Sequence, residues 1–239
     1  TSFGLGWMKK EIQYPTFGDE FYFQWHLTER CNLKCLHCYQ NNDTLSELPL
    51  KDLLVIVDRM EEALTKWGKR GTMSLTGGEP FLRQDELYAL MERIDSSDCL
   101  VYYDILSNGS FITASEAKAL SSHSALRRVQ VSLEGASAER NDQIRGQGSF
   151  EDTLRAIRNL IAVGIDVSVM MTITRKNQDQ IRPMIDLMKR EHISIIALER
   201  LVPEGRGADL SDLLLSPEEL HAVCDDIYHI AINNGSVRI

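Results

Sequence analysis

Cys31, Cys35 and Cys38 fall within eight residues, Cys31-Asn32-Leu33-Lys34-Cys35-Leu36-His37-Cys38, and they are three of the five cysteines in the chain. Thiolate sulfur is a soft ligand, and three sulfurs this close along one loop can wrap a small metal centre. A structural zinc ion takes four ligands, usually as two separated pairs. No second Cys-x-x-Cys and no His-x-His pair follows in the sequence, so zinc is the weaker reading. A 4Fe-4S cluster normally takes four cysteines. Three would leave one iron open to a small molecule, which is a catalytic arrangement. Disulfides would leave one of the three unpaired. Cys99 and Cys224 each stand alone among apolar residues and read as small buried hydrophobes.

The triplet must be positioned by something. Thr28-Glu29-Arg30 before it and Tyr39-Gln40-Asn41-Asn42-Asp43 after it read as loop. The aromatic run over residues 21–27 reads as a strand leading into that loop. Leu50, Leu53, Leu54, Val57, Met60, Leu64 and Trp67 then follow helical spacing after Pro49. The pattern recurs. Further strands are expected over 72–76, 101–106, 128–133, 165–172 and 193–198, with helices through Leu87 to Ile94, from Thr113, from Phe150 to Val163 and from Ile181 to Lys189. Thr113 with Glu116, and Ser216-Pro217-Glu218-Glu219, read as capping boxes. Six strands alternating with helices imply parallel pairing with right-handed crossovers. An open doubly wound sheet and a curved partial barrel both satisfy this.

In parallel α/β folds ligands collect at the carboxyl ends of the strands. Those ends carry the cysteine loop, Gly77-Gly78-Glu79-Pro80, Ser107-Asn108-Gly109, Ser132 with Glu134, and Leu198-Glu199-Arg200. Taken singly, the glycine-rich pieces read as turns and Arg145 as a surface arginine. Taken together on one rim, they read as a ligand site: paired glycines let backbone approach a ligand, and Glu79 is suited to accept hydrogen bonds from an ammonium group.

Composition bounds the rest. With 239 residues, 43% hydrophobic and 26% charged, the chain is an ordinary globular one, large enough for a substantial core. A net charge of −9 argues against a nucleic-acid surface built on bulk positive charge and against an anionic membrane surface. No run approaches the length of a membrane span, and the first ten residues lack the pattern of a signal peptide. A cytoplasmic protein with no nucleic-acid or membrane partner is expected. No linker splits the chain; residues 1–20 are read as an N-terminal extension, 21–210 as the core domain and 211–239 as a C-terminal helix.

Cys-x-x-x-Cys-x-x-Cys after a hydrophobic strand resembles the signature of radical S-adenosylmethionine (SAM, AdoMet) enzymes. The resemblance implies a partial (β/α)6 TIM barrel whose lateral opening admits substrate. It implies a 4Fe-4S cluster on Cys31, Cys35 and Cys38, with SAM chelating the fourth iron through its amine and carboxylate. Reduction would then cleave SAM to a 5′-deoxyadenosyl radical that abstracts hydrogen from the substrate. Gly77, Gly78, Glu79 and Pro80 look like the motif that binds the SAM amino group. Ser107 and Asn108 resemble the Thr/Ser-Asn-Gly after the third strand. Ser132 would reach the ribose or carboxylate, and Glu134 stands where the family usually has Asp. Arg145 looks like the arginine that pairs with the SAM carboxylate. His37 and Leu198 would lie against adenine, with Tyr39 lining the same pocket.

The motifs together resemble the peptide-maturase, SPASM-type branch. That resemblance implies a peptide or small-protein substrate and a reductant such as flavodoxin or ferredoxin. A sulfatase- or cofactor-maturating enzyme is the alternative, and an iron-sulfur electron-transfer or sensor protein the alternative from another class. The branch usually carries a cysteine-rich C-terminal extension with auxiliary clusters, whereas Cys224 stands alone here; the expectation is either that 211–239 is where such an extension starts or that one cluster suffices.

Overall fold

Along the fourth strand Val129 and Val131 are fully buried, while Arg128, Gln130 and Ser132 alternate with them and stay partly exposed. This period of two runs through the whole sheet. Met73 and Leu75, Tyr103 and Ile105, and Val167, Val169 and Met171 share the apolar face. Thr72, Ser74, Thr76, Asp104 and Ser168 share the polar one. A sheet with one apolar face needs a layer of helices on that face alone.

The computed structural model describes residues 20–40, 47–233 and 237–239. Most of the expected N-terminal extension, and Asn41 to Asp43 of the polar loop, lie outside the described residues. In chain order the elements are β1 (Glu20–His26), α1 (Leu50–Trp67), β2 (Arg70–Thr76), α2 (Gln84–Asp95), β3 (Leu100–Ser107), α3 (Ala114–Leu120), β4 (Leu126–Ser132), α4 (Ala138–Arg145), α5 (Ser149–Ala162), β5 (Asp166–Ile173), α6 (Ile181–Arg190), β6 (Ile195–Arg200) and α7 (Pro217–Asn233). All five pairings are parallel and the strand order is sequential, β1 to β6. The sheet curls into the half-barrel of the partial TIM type, not an open doubly wound sheet. Helices pack on its apolar outer face, and the polar inner wall is left for other contacts. Midway along that wall Asp104 accepts bonds from Arg127 Nε at 2.8 Å and Arg128 Nη2 at 2.7 Å.

Several expectations change; Cys224, read as a buried hydrophobe, is exposed. Helix α4 had no counterpart in the sequence pattern: Ala-Glu-Arg-Asn-Asp-Gln-Ile-Arg has no apolar stripe to reveal it, and what it buries is Asn141, Ile144 and Arg145. Strand β6 runs to Arg200, so Glu199 and Arg200 belong to the strand and not to the loop after it. Of the two capping boxes, Ser216 with Glu219 is reciprocal (Ser216 N to Glu219 Oε2 2.7 Å, Glu219 N to Ser216 Oγ 3.2 Å). Thr113 makes its half, but Glu116 is drawn away to Tyr88 and Gln84. Across the outer edge of β6, Arg238 forms a parallel bridge with Ile195.

Candidate active site

The cysteine loop leaves β1 at the carboxyl end of the sheet. Its three cysteines are free thiols; Cys35 is buried, and Cys31 and Cys38 are half-buried. A turn brings Cys38 N to Cys35 O at 3.3 Å. Cys31 Sγ accepts from Leu33 N at 3.4 Å and from Asn108 Nδ2 at 3.8 Å. Burial pushes the Cys31 and Cys35 thiols above their ordinary pKa; the Leu33 N–H at Cys31 and the Arg145 guanidinium near Cys35 act the other way. A bound metal cation would deprotonate such thiols outright. Among the described residues no three His, Cys, Asp or Glu side chains close into a cage for a single ion. Three soft sulfurs on one loop, without a fourth protein ligand, suit a cluster with an open iron better than a zinc ion.

The loop is clamped from three sides. From beyond β6, Arg206 N and Gly207 N donate to Cys38 O at 2.9 and 3.3 Å, and Arg206 Nε donates to Cys35 O at 3.1 Å. Gly205 makes that approach with φ +57°, and a Cβ there would sit 2.2 Å from Tyr39 O. From α4, Ile144 O accepts from Leu36 N at 2.9 Å. From β3, Asn108 Nδ2 donates to Asn32 Oδ1 at 2.8 Å.

The Gly-Gly-Glu-Pro turn after β2 packs directly on the start of this loop. Gly78 N and Glu79 N donate to Thr28 O and Arg30 O at 2.7 and 2.8 Å. A Cβ on Gly78 would lie 2.1 Å from Arg30 O, a backbone atom that cannot swing aside. Gly78→Ala is therefore expected to destabilise the chain by about 1–3 kcal/mol and to lower iron uptake on reconstitution, read by thermal unfolding and iron assay. An unchanged melting temperature would show that the turn is not held this tightly.

Glu79 is fully buried. Its Oε1 accepts from Phe81 N at 3.2 Å and Ser107 Oγ at 2.9 Å, and its Oε2 from Asn108 N at 2.8 Å. Burial raises its pKa to about 7 against the pull of those donors. The carboxylate thus ties the β2 turn to the β3 turn. Pro80, also buried, opens the short 3-10 turn that follows.

The Radical SAM superfamily profile matches residues 25–188, well over half of the chain. The chain belongs to the Radical SAM superfamily. It is 34% identical over 194 residues to mycofactocin maturase MftC of Mycolicibacterium smegmatis, covering 79% of this chain and 46% of that protein. It is 34% identical over 207 residues to Fe-coproporphyrin III synthase of Methanosarcina barkeri, covering 84% and 49%. The chain thus spans about half the length of these curated relatives. Among solved structures, anSMEcpe with bound AdoMet superposes with a TM-score of 0.73 at 20% identity over 92% of this chain and 63% of that one. Streptococcus suis SuiB bound to precursor peptide SuiA gives 0.71 at 16% over 92% and 47%. Family membership carries the two cofactors, a 4Fe-4S cluster and SAM.

Within this radical SAM core the expected site residues occupy one rim, with differences in which way they face. Ser132 ends β4 on the inner wall, partly exposed. Tyr39 is exposed, its ring 6.1 Å from that of His26. Leu198 shares the face of buried Ile196 and packs against the apolar core, so its side chain does not face the inner wall; the backbone is what it offers to a ligand. His37 turns toward Glu134, with Nε2 2.9 Å from Oε1. Arg145 Nη1 donates to the same Oε1 at 3.2 Å. Burial works against the Glu134 carboxylate, but His37 and Arg145 outweigh it and hold its pKa below the ordinary value. Two contributors were not anticipated. The Gly205-Arg206-Gly207 strap carried a signal, glycines flanking an arginine in the long loop after the last strand. Asn177, buried between Glu134 O and Thr172 O, carried none.

Proposed function

We propose that Cys31, Cys35 and Cys38 hold the 4Fe-4S cluster at this rim and that the enzyme modifies a ribosomally made peptide. The observation that carries the reading is the convergence of three free thiols with the glycine turn, the Ser107-Asn108 turn and the Arg145 cation at the carboxyl ends of adjacent strands. When bound, the reduced cluster and SAM together supply abstraction of a hydrogen atom from an unactivated C–H bond, chemistry that no side chain offers.

The residues bind and orient. Gly77, Gly78, Glu79 and Pro80 form the turn that receives the SAM amine, with the Glu79 carboxylate behind it. Arg145 meets the SAM carboxylate, since guanidinium and carboxylate geometries match. Ser132, Ser107 and Asn108 orient the remainder, and Tyr39 with the Leu198 backbone borders the adenine. The polar inner wall of the half-barrel receives the substrate through the open side and limits water at the reacting atoms. A flavodoxin- or ferredoxin-type reductant supplies electrons, in a cytoplasm that keeps the thiols reduced.

The peptide assignment draws on the relation to MftC and on the likeness to SuiB with its precursor peptide. A second reading, a tetrapyrrole substrate, is favoured by an equal identity to Fe-coproporphyrin III synthase. Anaerobic reconstitution with iron and sulfide, then reduction with SAM, is expected to yield 5′-deoxyadenosine. Absence of that product from a fully loaded protein whose EPR signal SAM does not perturb would leave an electron-transfer role. Mass spectrometry of peptides encoded near the gene and of Fe-coproporphyrin III, each incubated with the loaded enzyme, separates the two substrate readings by which one changes mass.

A further inference from the structure

Glu134 stands among the residues expected to contact SAM, yet every acceptor position it shows is directed into the protein. It is 1% exposed. Oε1 accepts from Arg145 Nη1 at 3.2 Å and lies 2.9 Å from His37 Nε2, and Oε2 accepts from Thr172 N at 2.8 Å. Its backbone is fixed as firmly, with N donating to Asn141 Oδ1 at 2.9 Å and O accepting from Asn177 Nδ2 at 3.0 Å. The group is a buried, fully engaged carboxylate, and the two side chains that meet its Oε1, His37 and Arg145, are the residues of interest. His37 lies in the cysteine loop directly before Cys38. Arg145 lies at the end of α4, buried, with its Nε lacking a hydrogen-bond partner in the protein, and His37 Nε2 meets Glu134 as a close N···O contact without hydrogen-bond geometry.

We propose that Glu134 is a positioning residue: its carboxylate latches the cysteine loop, through His37, to the Arg145 guanidinium, and it sets both without touching SAM. The proposal rests on the assignment of Arg145 to the SAM carboxylate given above. It follows from reach. A guanidinium whose Nη1 is pinned by Glu134 presents its remaining N–H groups in one fixed direction, because the fork is planar and rigid. The same oxygen holds the His37 ring, so the loop and the cation cannot shift independently. The Leu36 N to Ile144 O bond joins the same two segments through the backbone at 2.9 Å. An aspartate at 134 would be about 1.5 Å shorter and could not hold His37, Arg145 and Thr172 N at once.

The test is a double-mutant cycle on reconstituted protein, with SAM affinity read by equilibrium dialysis and cluster environment by EPR of the reduced protein before SAM is added. Iron and sulfide content is expected to stay at the wild-type level in Glu134→Gln. Its dissociation constant for SAM is expected to rise about tenfold, the usual scale for a hydrogen bond to a charged group. In an Arg145→Met background the same change is expected to cost less than about twofold, since a positioning residue has nothing left to position. His37→Asn and Glu134→Gln are expected to shift the SAM-free EPR signal in the same direction, a readout that loss of a direct SAM contact would not move. A tenfold loss that persists in Arg145→Met, or an unchanged SAM-free signal, would overturn the proposal in favour of direct contact. If Glu134→Gln does not accumulate as folded protein, Glu134→Asp takes its place in the cycle. Failure of the wild type to bind SAM would instead refute the functional reading on which the proposal rests.

Discussion

Cys35→Ala is expected to abolish cluster assembly, leaving far fewer than the roughly four irons per chain of a loaded 4Fe-4S centre and no detectable 5′-deoxyadenosine. The effect is large because the site has no spare ligand. Among the described residues no group of three His, Cys, Asp or Glu forms an alternative metal site, and in the proposed arrangement one iron is left to SAM. With only two thiolates, two irons of the cubane lack a protein ligand where the proposed arrangement leaves one. The controls are Cys99→Ala and Cys224→Ala. Cys99 lies at the start of β3, its Sγ 3.4 Å from Thr65 Oγ1, and Cys224 is exposed on α7. Both variants are expected to load iron and cleave SAM as the wild type does. Because Cys35 is buried, circular dichroism of the apoprotein must accompany the iron assay, so that loss of the fold is not read as loss of a ligand. Full iron loading of a folded Cys35→Ala protein would remove Cys35 from the ligand set. Stoichiometric zinc in a colourless wild type would replace the cluster with a structural ion.

Alternation made the strands legible where a polar inner and an apolar outer face separate cleanly, as in β4 with Val129 and Val131 against Gln130 and Ser132; the first strand was read from its aromatic run, and the sixth extends two residues past its expected end. The helices were legible wherever an apolar stripe faces the sheet, as in α1 with Leu53, Val57 and Leu64. Helix α4 was invisible because two of its three buried residues, Asn141 and Arg145, are polar, and Ile144 alone makes no apolar stripe. Periodicity alone did not choose between open sheet and half-barrel, since that depends on how the strands coil and not on their order; the family resemblance chose the half-barrel, which the structure has. At the site, types and spacing located the rim, but not the direction each side chain takes. His37 and Glu134 read separately as two ligand contacts; that they face one another depends on a distance of 2.9 Å across the gap between two loops 97 positions apart. Glu79 read as an acceptor for an amine; what its type and spacing did not show is that its oxygens also accept from Phe81 N, Ser107 Oγ and Asn108 N of the two adjoining turns. The Gly205-Arg206-Gly207 strap was passed over because its glycines read as loop punctuation, and the close approach to Tyr39 O that requires Gly205 appears only when β6 is brought around to face β1.

Glu79→Ala is expected to cost several kcal/mol of stability and to loosen both turns that border the cysteine loop. Removing the carboxylate leaves Phe81 N and Asn108 N without an acceptor in a dry interior, and each such orphan costs about 1–3 kcal/mol. Glu79→Gln keeps one carbonyl oxygen and sets an NH2 against a donor, so it is expected to lose about half as much. Both variants differ from the wild type in their dependence on pH. In the folded apoprotein the Glu79 pKa is raised from 4.5 to about 7, burial being the first cause. A raised pKa means that the folded chain binds the proton more tightly than the unfolded chain does. Stability from this group is therefore fully present below about pH 4.5, falls as pH rises toward 7 and levels off above it, a change of about 3 kcal/mol on the scale of 1.4 kcal/mol per pH unit. In Glu79→Gln that slope is expected to disappear, so its deficit against the wild type narrows from pH 5 to pH 7.5 in urea melts of the apoprotein. Parallel curves for the two proteins across this range would show that Glu79 is ionised throughout, and would place its charge under the control of the donors around it and not of its burial.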